Sequence, residues 1–301
     1  MSTTIDSPDP DVVYMRQAMT LASRGQGKVE PNPMVGCILV KKGRLIGQGY
    51  HRRFGGPHAE VYALRQAGPA ARGATAYVTL EPCSHHGKTP PCADALIQAG
   101  VSRVVVAMKD PFPQVAGRGI RRLRRAGVKV SVGLCHEEAA RLNAPYLTVL
   151  QRDRPYVILK WAQSLDGCIA TRTGNSKWIS SPLSRRWVHR LRARVDGILV
   201  GINTVLKDDP LLTARDVPIR RVATRIVLDT RLRLPARSQL VQTAAQIPLV
   251  VCTTGRALNQ NTNRARRLER AGVHFLPCRT HKNRIALPDV LERLAKQKVT
   301  N

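Results

Sequence analysis

Apolar positions recur at helical spacing through "DVVYMRQAMTLASRG", where Val12, Met15, Met19 and Ala22 share a face and Gly25 ends the run. "MVGCILVKKGRLIGQGY" predicts two strands about a Lys42-Gly43 turn. A helix from His58, a strand "ATAYVTL", a helix from about Pro91, a strand "RVVVAM", a helix "GIRRLRRAG" and a strand "VKVSV" follow, and "EEAARLNAPYLTVL" reads as one closing helix. Strands alternating with helices imply an α/β layered sheet. The polar "QRDRP" at 151–155 is the candidate linker.

The second half restarts with the apolar run "YVILKWA", expected as a strand, and the turn "SLDG". Ser181 before Pro182 marks a helix start for "LSRRWVHRLRARV". Strands are expected at "GILVG", "RIVLDT", "PLVVCTT" and "VHFLPC", with a helix "RARRLERAG" between the last two. The amphipathic "LPDVLERLAKQKVTN" is followed by no further strand, so this half reads as cut short.

Length agrees with two domains, 1–152 and 153–301, at roughly 150 residues each. No apolar run approaches the roughly 20 residues that cross a bilayer. The N-terminus also lacks the basic start and apolar stretch of a signal peptide, so a cytoplasmic protein without a membrane partner is expected. Seven scattered cysteines read as thiols and metal ligands rather than disulfides, with Cys37, Cys135, Cys168, Cys252 and Cys278 taken as packed thiols. A net charge of +29, heavier after residue 150, raises nucleic acid as a partner; aromatic residues at 4% supply too few stacking platforms for it. A phosphorylated small substrate or cofactor explains part of the charge.

His58, Cys83 and Cys92 match the three protein ligands of a catalytic zinc site, whose fourth position is open to water. Each lies where a helix is expected to begin or a strand to end, the edge at which α/β sheets place their sites. Glu60, two residues from His58, is free to move protons as the catalytic acid and base. His85 and His86 are expected in a loop over the pocket rather than in the ligand set. The His-x-Glu and Pro-Cys pattern is the signature of zinc deaminases, in which the metal brings the pKa of water toward about 7.

Eight residues, "SHHGKTPP", separate the two cysteines, where nucleoside and transfer-RNA deaminases have two. With "PNPMVG" at 31–36 and "DPFPQVAGRG" at 110–119, this loop resembles the deaminase half of the bifunctional riboflavin-biosynthesis enzymes. The second half resembles their reductase through "LKWAQSLDGCIATRTGNSKWISSP", "LRARVDGILVGINTVLKDDPLLTAR" and "RIVLDTRLRLP". The resemblance implies a cytidine-deaminase-like three-layer domain followed by a dihydrofolate-reductase-like α/β domain, incomplete at its C-terminus. It implies Zn2+ and NADPH as cofactors, and a homo-oligomer is expected. The implied reaction is zinc-dependent deamination of 2,5-diamino-6-ribosylamino-4(3H)-pyrimidinone 5′-phosphate, then reduction of its ribosyl group. By matching positions, Ala162, Trp178, Thr204, Asp208 and Thr230 face NADPH, and Ser176, Arg192, Leu212 and Arg215 face the phosphorylated substrate. The family's glycine-rich "EGGP"-like segment does not occur before Asn301, so weak NADPH binding and poor reduction are expected. The competing readings are a nucleic-acid or nucleoside deaminase and a zinc-stabilised basic binding module.

Overall fold

Lys42 and Gly43 take φ of 49° and 74°, the conformation that a two-residue turn between twisted antiparallel strands requires. They join β1 (Gly36–Lys41) to β2 (Arg44–Tyr50), with Lys41 opposite Arg44. The computed structural model describes residues 9–84 and 91–301, and the chain divides into units 1–152 and 153–301.

Among the described residues of the first unit, one five-stranded sheet runs β2-β1-β3-β4-β5, with β3 at Thr75–Val78, β4 at Arg103–Val106 and β5 at Lys129–Val132. β1 is antiparallel to both neighbours, and β3, β4 and β5 are parallel. Its faces are covered by α1 (Pro10–Ser23), α2 (Ala59–Ala67), α3 (Cys92–Gln98), α4 (Arg118–Arg125), α5 (His136–Leu142) and α6 (Ala144–Arg152). Alternation along the strands divides the core. Ile38, Val40, Tyr77 and Val105 pack with Met15, Met19, Ala139 and Leu147, whereas Cys37, Leu39, Val78 and Val104 pack with Ala63, Ala93, Leu96 and Leu123. The result is the expected three-layer domain.

The closing segment expected as one helix is two. Pro145 has no N–H to continue the helical ladder. Asn143, at the break, accepts the Met34 N–H at 2.8 Å and donates to its carbonyl at 2.9 Å, fastening the "PNPMVG" segment to the helical layer.

In the second unit α7 (Pro182–Arg192) begins at the expected signal, with Ser181 Oγ accepting the Ser184 N–H. There follow β6 (Gly197–Gly201), α8 (Ile202–Asp208), β7 (Thr224–Leu228), α9 (Gln239–Gln242), β8 (Leu249–Thr253), α10 (Gly255–Gln260), α11 (Thr262–Arg270) and β9 (Val273–Pro277). A short ribbon, β10 (Thr280–His281) with β11 (Arg284–Ile285), precedes α12 (Leu287–Lys296). The sheet order is β6-β7-β8-β9, parallel throughout. Val227 and Val251 pack with Leu240 and Leu268 on one face, and Ile226 and Cys252 pack with Val290 and Leu294 on the other. Arg225 is fully buried in β7, where its guanidinium donates to Thr243 Oγ1 at 2.6 Å and to the Ile247 carbonyl at 2.5 Å.

Two expectations are corrected here. Residues 156–162 form no strand: the run has strand propensity, but among the described residues it joins no ladder, and β6 is paired only with β7. The Tyr156 N–H donates to the Thr300 carbonyl, and Leu159 is 78% exposed. This segment and β6 line an apolar groove of about 420 Å³ with Val188, Leu191 and Leu294. Of the cysteines taken as packed thiols, Cys37, Cys252 and Cys278 are buried, but Cys135 is only half-buried and Cys168 is exposed. No helix among the described residues is long and apolar enough to cross a membrane.

Asp289, in the first turn of α12, accepts the Arg279 N–H and Nε and the Arg293 Nε at 2.7 to 2.9 Å. Burial alone would raise its pKa, yet these donors hold it to about 2, below its usual 3.8. Such a carboxylate stabilises the fold above about pH 4 and ceases to as pH falls through about 2. Asp289→Asn is expected to lower the urea midpoint at neutral pH, with the gap to wild type closing from about pH 4 to about pH 2, as followed by circular dichroism.

Candidate metal centre

Three elements deliver one donor each. His58 is the N-cap of α2, Cys83 lies beyond the end of β3, and Cys92 opens α3. α2 can reach this position because it lies almost against β2: a Cβ on Gly49 would stand 2.3 Å from the Ala59 carbonyl oxygen. His58 Nδ1 is 3.2 Å from Cys92 Sγ and 3.5 Å from Cys83 Sγ, and all three donor atoms lie within 4.8 Å of one another.

The pKa of Cys83 is lowered, chiefly by its hydrogen bond with Cys92, and that of Cys92 is raised by the same contact and by burial. The Cys92 N–H also donates to Cys83 Sγ at 3.3 Å, and hydrogen bonding with Cys83 raises His58. Two sulfurs and one imidazole nitrogen are a donor set that fits zinc, and three protein ligands are the number a catalytic zinc site uses.

Glu60 is 2% exposed, its Oε2 has no hydrogen-bond partner among the described residues, and burial raises its pKa. A carboxylate so placed can take a proton and return it. His51 stands beside this group, its ring centroid 5.5 Å from that of His58 and its Nε2 without a partner among the described residues. Burial and then the His58 charge lower its pKa, favouring the neutral imidazole. Sequence pattern does not single out His51, because its burial depends on non-local pairing: its N–H donates to the Val35 carbonyl. The only local signal is its place just past β2, seven residues before His58. His85 and His86 lie outside the described residues.

In the second unit Arg192, at the end of α7, has its pKa lowered by burial and then by Arg215. The Arg215 N–H donates to His189 Nδ1, one turn before Arg192, and Leu212 lines the same groove as Arg192. Ser176 is exposed, as is Trp178, over whose ring Arg185 stands at 4.4 Å. Ala162 is part of the extended segment after 155, Thr204 and Asp208 are exposed on α8, and Thr230 follows β7, accepting the Ile285 N–H. The structure thus brings Arg192 together with Leu212 and Arg215, expected on the substrate side, while of the expected NADPH residues Thr204 and Asp208 share α8.

The first unit matches the cytidine and deoxycytidylate deaminase zinc-binding region over residues 8–108, and the second matches the RibD C-terminal domain over 155–301. The riboflavin biosynthesis protein RibD of Escherichia coli is 46% identical over 293 residues, covering 97% of this chain and 80% of that protein. The chain belongs to the RibD family. RibD of Aquifex aeolicus is 49% identical over 266 residues, 88% of this chain and 73% of that protein. Among solved structures, Acinetobacter baumannii RibD superposes with TM-score 0.83 at 42% identity, covering 96% of this chain and 78% of that one. A diaminohydroxyphosphoribosylaminopyrimidine deaminase/5-amino-6-(5-phosphoribosylamino)uracil reductase from Thermotoga maritima gives 0.84 at 36% identity, covering 97% and 79%.

Loss of an outer partner of a RibD-type zinc site would weaken the metal roughly 10–100-fold, and loss of a ligand should cost more. Cys92→Ser is therefore expected to weaken zinc binding by more than about 100-fold, read by competition with a chromophoric chelator.

Proposed function

We propose that His58, Cys83 and Cys92 hold the zinc of the pyrimidine deaminase half of a riboflavin-biosynthesis enzyme, and that Glu60 moves its protons. The chain is a bifunctional deaminase and reductase acting on a phosphorylated pyrimidine, with zinc for the first step and NADPH for the second. The observation that carries the deaminase reading is the convergence of three donor atoms within 4.8 Å beside a buried carboxylate. The substrate expected is 2,5-diamino-6-ribosylamino-4(3H)-pyrimidinone 5′-phosphate.

When bound, zinc supplies Lewis acidity that makes water a stronger acid and a better nucleophile. Oε2 of Glu60, with no competing partner among the described residues, accepts the proton of the attacking water and passes it to the departing amine, which leaves as ammonia while the ring carbon gains oxygen. Burial serves this carboxylate twice: it raises the proton affinity toward the working range and keeps bulk water from short-circuiting the transfer.

For the reductase half, the NADPH roles assigned to Ala162, Trp178, Thr204, Asp208 and Thr230 and the substrate roles of Ser176, Arg192, Leu212 and Arg215 belong to this proposal. Arg192 beside Arg215 supports the substrate side, since two guanidinium groups held together favour an anion such as phosphate between them. The apolar 156–161 segment and the open edge of β6 support self-association into a homo-oligomer. Soluble phosphorylated substrates support a cytoplasmic site of action.

Glu60→Gln separates this reading from a zinc-stabilised binding module. Ammonia release is expected to fall by about 10²–10⁴-fold at unchanged zinc content, measured on the free pyrimidine nucleotide. Full activity in that variant would remove Glu60 from the proton path.

A further inference from the structure

Glu81 is 4% exposed, and its side chain does not take part in the chemistry described above. Its carboxylate accepts four backbone N–H groups. Oε2 takes those of Asp110 at 3.3 Å and Gly117 at 2.9 Å, and Oε1 takes those of Gly119 at 2.9 Å and Ile120 at 3.2 Å. The nearest of these donors is 29 residues away in sequence. Gly119 and Ile120 belong to the first turn of α4, whose N-cap, Gly117, has no side chain to satisfy them. Glu81 fills that role from another element, and its charge suits a helix N-terminus.

The same residue is fixed along its backbone, because the Glu81 N–H donates to the Met108 carbonyl at 3.0 Å. Pro82 follows with its carbonyl pressed onto α4: a Cβ on Gly119 would stand 1.9 Å from that oxygen. Cys83 comes next, and its carbonyl accepts the Ala93 N–H of α3 at 3.1 Å. A single residue therefore separates the metal-ligating cysteine from a carboxylate that binds the 110–117 turn and α4 together.

We propose that Glu81 is a positioning residue of the metal centre: by capping α4 and gathering the 110–117 turn, it fixes the Pro82–Cys83 segment and with it the reach of Cys83 Sγ toward His58 and Cys92. The inference rests on the zinc reading of those three residues. Gln at this position keeps the shape but removes the charge, and it turns an NH₂ group toward two of the four donors. Asp keeps the charge and shortens the reach.

The test uses the full chain, stripped of metal and titrated with Zn2+ against a chromophoric chelator, and separately loaded with Co2+. Glu81→Gln is expected to weaken Zn2+ binding about 10–100-fold and to shift the thiolate-to-cobalt absorption band, with Glu81→Asp falling between it and wild type. Amide hydrogen exchange at Gly119 and Ile120 should quicken in the metal-free Gln variant. A folded Glu81→Gln protein with wild-type Zn2+ affinity and an unchanged cobalt band would overturn the proposal, leaving Glu81 a loop anchor. If the Gln variant does not fold, Glu81→Asp decides: weakened Zn2+ binding supports the role, and unchanged binding overturns it. Wild-type protein that takes up no Zn2+ would overturn the zinc reading and this one together.

Discussion

The candidate site depends on how closely one helix lies against one strand. Gly49 faces the Ala59 carbonyl and Gly47 faces that of Ala63, at distances that leave no room for any side chain on β2. This contact lowers α2 onto the sheet, so that its N-terminus reaches the level where β3 ends. His58 and Glu60 then meet Cys83 and Cys92 instead of standing a side chain's width away. Burial of Glu60 follows from the same closeness, and with burial comes the raised proton affinity that the proposed chemistry uses.

Local chemistry was legible wherever a short stretch determined it. Lys42-Gly43 specified its turn and Ser181-Pro182 its helix start, because few residue types suit such positions; the grouping of His58, Cys83 and Cys92 rested on a recognised motif, and their donor atoms lie within 4.8 Å of one another. Features that depend on distant partners were not legible. Residues 156–162 have the composition of a strand, yet strand formation is a property of a pair of edges. The break at Asn143 and Pro145 was not anticipated, and the two-way hold of Asn143 on Met34 spans 109 residues. Glu81 reads as part of a cysteine motif, and nothing near it announces four amide donors from the far side of β4. Arg225 lies inside a strand, and only its non-local acceptors make its burial tolerable.

The two units satisfy their edges differently. In the first, β2 is backed by α2, and the apolar faces of the sheet are covered by helices. In the second, β6 has one ladder and an apolar groove, while the positive residues of α7 stand close by. Unpaired strand edges invite pairing, and like charges oppose it. At a net charge of +29, salt that shortens the screening length to about 8 Å weakens that opposition.

The three proposed ligands come from a helix cap, a strand end and a helix start, with His58 separated from the cysteines by 25 and 34 residues. In a zinc knuckle, ligands a few residues apart can seize the ion first and fold around it. Here the sheet must close before the donors meet. Under the proposed zinc reading, an ion would meet a finished architecture instead of building one.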